Sequence, residues 1–505
     1  MAFRSGRARS SERWSQRVQS PDGPFRNHET SVGRRVHRDT APVGSRSGWS
    51  GRRFPEARMM KRLLVIWCLA CGSVLIWWML RSEATTVALT DRRMMEDGIP
   101  QDQVEAITLE YGGGRTLSFE RDGIMWRQVE PFAVGVDAFS ARQIAVVASS
   151  LNASDYVEIG DDDAGRAQMA RLGFDDPAVR VTWRWGDETR VLILGNRTLA
   201  GRAWARLEGE RLAWLVDSAL HERLLDMDSR LWRDRSLLPQ AGVETRVIEI
   251  EVGSASVRLE NELDGWELTE PVAARGDAGA ISEWLSEVSR ASTQGYLFDQ
   301  PRSLEPFGLE PPVAVVRLTR RDGSARSVLI GDPIGVGSTE RYGLVEGSPT
   351  ILRLDEDAQK ALVPSAAVFV DPTGTSVVRA DVGSIEVRPA NGSDFTLTRD
   401  FDRWVLELDE ESGSVEVPRQ AVEGLLGQLT SARASEIEFL EYPSELEEAV
   451  VILLGLDGLP LDTVRVIRDP NDGRWALENG DGVLRIFPPS FQPALQPGNF
   501  GVVIP

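Results

Sequence analysis

Thiol and imidazole chemistry have little room in this chain. Its only cysteines, Cys68 and Cys71, lie inside one uncharged apolar run, and two of its three histidines, His28 and His37, belong to an arginine-rich N-terminal segment. Cysteine-based metal sites, disulfides and thiolate nucleophiles are therefore excluded from the body of the protein. The remaining histidine, His221, cannot by itself form a multi-histidine zinc site or an HExxH helix. It lies in SALHERLLD, an amphipathic helical pattern with no GxSxG elbow nearby, so a solvated or helix-capping role is expected. Carboxylates are the abundant alternative. Asp161-Asp162-Asp163 could approach a calcium ion, but adjacent carboxylates converge only on a looped backbone, and no EF-hand spacing follows; a solvated acidic loop is expected. Asp469-Pro470-Asn471-Asp472-Gly473 has the look of a calcium loop without the closing Glu, and reads as a hairpin turn. Gly112-Gly113-Gly114 joins two strand patterns rather than a strand and a helix, and Gly335-Val336-Gly337-Ser338 lacks the P-loop lysine, so neither is a phosphate cradle. Acidic pairs for glycoside hydrolysis are too numerous for any one to be singled out. No catalytic, cofactor-binding or metal-binding residue is assigned, and no cofactor is expected.

The elements that would carry such residues recur. VEAITLEY, TLSFERDGIMWRQVEP and a helical pattern are followed by a second copy, TRVIEIEV, SVRLENELDGWELTEP and GAISEWLSEVSR, with Trp126 and Trp266, like Pro131 and Pro271, 140 residues apart. A third copy, GSIEVRP and DFTLTRDFDRWVLELD, sets Trp404 138 residues further on. The back halves repeat as well. Gly173 and Pro177 match Gly308 and Pro312; Gly195 matches Gly331; Trp204, Gly209 and Asp217 match Tyr342, Gly347 and Asp355. The third copy has Trp475 in the aromatic slot but lacks the Gly-x-x-x-Pro element. Each copy reads as three strands, a helix, then four or five strands, because residues such as Val181, Trp183 and Trp185 alternate while Ile281, Trp284, Leu285 and Val288 follow helical spacing. The recurring tryptophans are expected in cores, with an exposed aromatic platform as the alternative.

Leu63–Leu80 contains no charge across eighteen residues. At roughly 1.5 Å per residue it extends about 27 Å, enough to cross bilayer hydrocarbon. Arg62 and Arg81 flank it, and Trp67, Trp77 and Trp78 lie near its ends. Residues 1–62 hold fifteen Arg/Lys against five Asp/Glu, and the rest of the chain 42 against 72. The positive-inside rule puts the N-terminus in the cytoplasm and the acidic bulk outside, in the periplasm, making a single-pass protein of the cytoplasmic (inner) membrane. Ser82-Glu83-Ala84 is a small-x-small triplet, but the apolar run exceeds a signal core, which favours an uncleaved anchor. Met59 or Met60, followed by Lys-Arg, also reads as a translation start. The acidic balance argues against nucleic acid as a partner.

The fold class expected is α+β: tandem repeated β-rich units with one or two covering helices each, preceded by a single transmembrane helix. The divisions are a disordered tail at 1–57, the anchor at 58–82, repeats at 100–240 and 245–372, a diverged repeat at 377–490, and a C-terminal tail at 491–505. The Gly-[Phe/Leu]-acid-x-Pro element, the VLILG strand and the RYGLVEG strand resemble the bacterial family described as domain of unknown function 4340. That resemblance implies an N-terminal anchor, no catalytic residues, and an accessory place beside ABC-type transport systems related to gliding-motility components. The function expected is that of a non-enzymatic, membrane-anchored extracytoplasmic accessory or scaffold protein with a transporter or envelope complex as partner. A cell-envelope carbohydrate-active hydrolase and a glycan- or peptide-binding module are the alternatives.

Overall fold

Val179, Val181, Trp183 and Trp185 are all buried along the strand Val179–Trp185, while Arg180, Thr182 and Arg184 face the other way. This period-two pattern, repeated in many segments, yields three antiparallel sheets. The computed structural model describes residues 92–502 apart from 200, 264, 409–412 and 441–443. The expected tail and the anchor Leu63–Leu80 lie outside the described residues. Among the described residues no helix is long and apolar enough to cross a membrane.

The three sheets share one topology. In the second unit four strands, Thr245–Val252, Ala255–Glu262, Gly265–Glu270 and the short Ala274–Arg275, form a meander. The helix Ala278–Arg290 then crosses the sheet, and the fifth strand, Gly295–Asp299, lands on the far edge. The chain returns to the centre with Ala314–Arg320, beside the first strand, and meanders outward through Ala325–Pro333, Arg341–Val345 and Thr350–Leu354. The spatial order is thus fourth, third, second, first, sixth, seventh, eighth, ninth, fifth. Both neighbouring units repeat it. The third does so without the Gly-x-x-x-Pro element, so that element is not required to complete the sheet. The first unit adds Arg92–Arg93 outside its fifth strand, and Met94, Met95 and Ile99 enter its core, so this unit begins before residue 100.

One helix covers the inner face of each sheet. Ile281, Trp284, Leu285 and Val288 are buried, as their spacing predicts, and Asp277 caps the helix by accepting from the Gly279 and Ala280 amides. Asp137 caps Ala138–Ser149 in the first unit by accepting from Ser140 at 2.8 Å. Trp126 and Trp404 are buried, and Trp266 packs against the second core, so the recurring aromatics are core residues rather than a platform. Fully burying a large apolar side chain contributes roughly 1.5–3 kcal/mol, and Trp126 and Trp404 are buried to that extent while Trp266 is partly so. Residues 491–502 are not a tail: Phe491, Leu495 and Phe500 are buried in the third core, because three apolar side chains at the end of the last unit have that core within reach.

The outer face of each sheet carries a smaller apolar cluster. In the first unit it joins Ile159, Phe174 and Ile193 with Trp204 packed alongside; in the second it joins Leu309, Leu344 and Ile351 with Tyr342. The repeated glycines build these clusters. Gly173 and Gly308 sit at left-handed φ of 82° and 62°. A Cβ on Gly195 would lie 2.3 Å from the Leu172 carbonyl oxygen, and one on Gly331 would lie 2.2 Å from that of Phe307. The turn preceding each Pro is therefore pressed onto a strand where only glycine fits.

Candidate functional site at the unit junctions

The acidic and glycine-rich segments are held in separate structural roles. Asp162 caps the helix Asp163–Leu172 by accepting from the Gly165 amide at 2.9 Å, Asp161 pairs with Arg211, and Asp163 pairs with Arg166. Asp469 accepts from the Asn471 amide at 2.8 Å in a hairpin where Gly473 has φ 73°. Gly112 to Gly114 form the turn between two strands, and Gly335 and Gly337 lie in an open loop after the strand Ala325–Pro333. Among the described residues no group of three or more His, Cys, Asp or Glu is placed to hold a metal ion.

His221 is neither solvated nor a cap. It is fully buried, because the amphipathic turn carrying it lies across the first core with His221 inward. Its Nε2 lies 3.1 Å from the Gly195 carbonyl, which can only accept, so Nε2 carries the proton. Burial, first among its influences, pushes the imidazole down to about 4. The matching residue of the second unit is Gln359, which donates to the carbonyls of Thr339 at 2.8 Å and Asp355 at 3.0 Å. His221 thus pins its turn to the strand Glu188–Arg197, and Gln359, which also donates to the Leu354 carbonyl at 3.2 Å, pins its helix to the strand Thr350–Leu354.

The side chains that converge from separate units lie at the junctions, and the sequence did not single them out. Asp234 and Asp371 occupy equivalent places. Each backbone N–H donates back to its own unit, to Gly135 at 3.0 Å and to Arg275 at 2.8 Å. Each carboxylate accepts from an amide two residues on, Ser236 at 3.0 Å and Thr373 at 2.9 Å. Each carbonyl accepts from the following unit, Asp234 from the Tyr296 hydroxyl and Asp371 from Arg485 Nε at 2.9 Å. One aspartate thus stitches two units together at each junction.

Charge reinforces both seams. At the first, Arg233 is 5% exposed, its guanidinium lies 5.1 Å from both the Phe132 and Tyr296 ring centres, and it donates to Asp299 at 2.6 and 3.1 Å. Burial pushes the Asp299 carboxyl up, but hydrogen bonding by Arg233 and the charges of Arg233 and Arg230 together hold it below the usual range. Burial, and next the Asp234 charge, push the Tyr296 hydroxyl up to about 12, so it stays a donor. At the second seam Arg275 donates to Asp371 at 3.0 Å, and Arg485, wholly buried, pairs with Asp481 at 2.6 Å. Arg433 from the third unit pairs with Asp277, the helix cap of the second. Against the upward push of burial, Arg433 and the helix amides hold that carboxyl low. The sequence signal was sparse: RDRS at 233–236 and VDPT at 370–373 share an Asp and a hydroxyl two residues later.

No curated protein matches this chain. Among solved structures, one from a study of a Ca2+-stabilised adhesin that helps an Antarctic bacterium reach out and bind ice aligns at 10% identity, covering 75% of this chain and 89% of that one; its TM-score of 0.07 carries no argument about fold or function. The sequence pattern of the family described as domain of unknown function (DUF4340) matches residues 126–267 and 266–449. The first segment spans the Asp234 junction and the second spans the Asp371 junction. Because the two segments together cover more than half of its length, the chain belongs to the DUF4340 family.

Proposed function

We propose that this protein is a membrane-anchored, extracytoplasmic accessory or scaffold component of an ABC-type transport system, acting through its β-rich units without catalysing a reaction. The observation carrying this reading is the repeated junction. Three units of one topology are coupled by the same aspartate stitch, with buried or half-buried ion pairs at both seams. Such coupling transmits position from one unit to the next, which a scaffold requires. The apolar run Leu63–Leu80, with its basic flank and the acidic chain beyond it, supports the membrane address and the extracytoplasmic side. Affinity purification of the full chain from gently solubilised membranes tests the proposal. A transporter membrane subunit should be recovered in near-stoichiometric amount, and its yield should fall in the Tyr296→Phe, Arg433→Gln double variant, which removes one donor across each seam. Recovery of the chain without any transporter subunit would overturn the reading.

A further inference from the structure

A recess of about 370 Å³ opens at the first junction, between the Asp234 segment and the outer strands of the second unit. Three arginines line it, Arg127 from the first unit, Arg235 from the junction and Arg326 from the second unit. None of the three forms an ion pair among the described residues, although the chain as a whole is strongly acidic. Among the described residues about half of the other arginines are bridged, as Arg180 is to Glu208 and Arg465 to Glu447. Two carboxylates also line the recess. Glu346 is already engaged, accepting from Ser327 Oγ at 2.6 Å and bridging Arg317 at 3.4 Å. Asp234 has one oxygen committed to the Ser236 amide, and its charge is felt by Arg326. The Arg326 Nε is buried with no hydrogen-bond partner. The half-buried guanidinium has Asp234 as a nearby charge but, among the described residues, no carboxylate in ion-pair contact, which leaves its donors to be met by another acceptor.

We infer that this recess is a binding site for a small ligand bearing an oxyanion, a phosphate or a carboxylate group, held by the guanidinium forks of Arg326, Arg235 and Arg127. Guanidinium presents paired donors that match the oxygens of either group in two parallel hydrogen bonds. The volume suits a small molecule or a single charged end group. Because the arginines come from two units and the segment between them, a bound oxyanion would also bridge the seam that Arg233 and Asp299 close nearby. This inference does not depend on the accessory role.

The experiment titrates the detergent-solubilised full chain with inorganic phosphate and, separately, with acetate at low ionic strength. Heat of binding and melting temperature are both followed. Saturable binding of at least one is expected, with a rise in melting temperature. Preference for phosphate would identify a phosphorylated ligand, and preference for acetate a carboxylated one. Arg326→Gln should weaken binding at least tenfold, and Arg235→Gln less, while Arg184→Gln, which removes a cation bridged to Glu105 in the first unit, should bind as the parent does. Without ligand, Arg326→Gln should melt at or above the parent temperature, since it removes an unpaired cation; a purely structural arginine would lower it. No heat with either anion, or undiminished binding by Arg326→Gln, would overturn the inference.

Discussion

At the residue scale, His221 couples stability to acidity. Its buried imidazole titrates near 4, whereas an unfolded chain protonates near 6.5. Between those values the unfolded state holds the extra proton, so the stabilisation is complete above pH 6.5 and is lost as pH falls toward 4. By pH 5 the loss should be about 2 kcal/mol. His221→Gln, which installs the side chain that the second unit uses at Gln359, should flatten this dependence. Urea midpoints at pH 7 and pH 5 check it: the parent should lose more than the variant, and parallel losses would refute the assignment. His221 also shows why single residues mislead. Its pattern placed it correctly on a helical turn, but which face of that turn met the core depended on strands far away in the chain.

At the element scale, the glycine pairs act as a lock between a turn and a strand. Gly331→Ala forces its new Cβ against the Phe307 carbonyl, and backbone cannot swing aside as a side chain can. The substitution should cost about 2–4 kcal/mol. Gly335→Ala, with open space around it, should stay within about 0.5 kcal/mol. Thermal melts of the two variants provide the comparison, and equal midpoints would remove the lock. Much at this scale was legible in the sequence. The alternation in Val179–Trp185, the buried stripe Ile281, Trp284, Leu285 and Val288, and the core role of Trp126 all follow from local periodicity. The fifth strand's passage to the far edge was not legible, because it depends on pairing Gly295–Asp299 with Thr350–Leu354, more than fifty residues later. The stitches at Asp234 and Asp371 were hidden for a related reason. Their donors, Tyr296 and Arg485, differ in type and lie far along the chain, so no motif connects them.

At the scale of the whole molecule, the seams decide whether three units unfold as one. Asp371→Ala removes the turn cap and the partner of half-buried Arg275, a loss of about 2–3 kcal/mol concentrated at one junction. Denaturant unfolding followed by tryptophan fluorescence should then separate into two transitions, with the third unit melting apart from the first two. A variant that unfolds in one step at the parent midpoint would show the units to be held together by other means.

The segment that forms each stitch also closes a sheet. Arg233 bridges to Val136 on the outermost strand of the first unit, and Val370 bridges to Gly276 beside the outermost strand of the second. Unpaired sheet edges are where chains adhere to one another. A unit emerging N-terminus first therefore keeps a sticky rim until its successor's leading residues arrive to cover it. Among the described residues, no following segment bridges the equivalent strand of the third unit, Ser414–Val417.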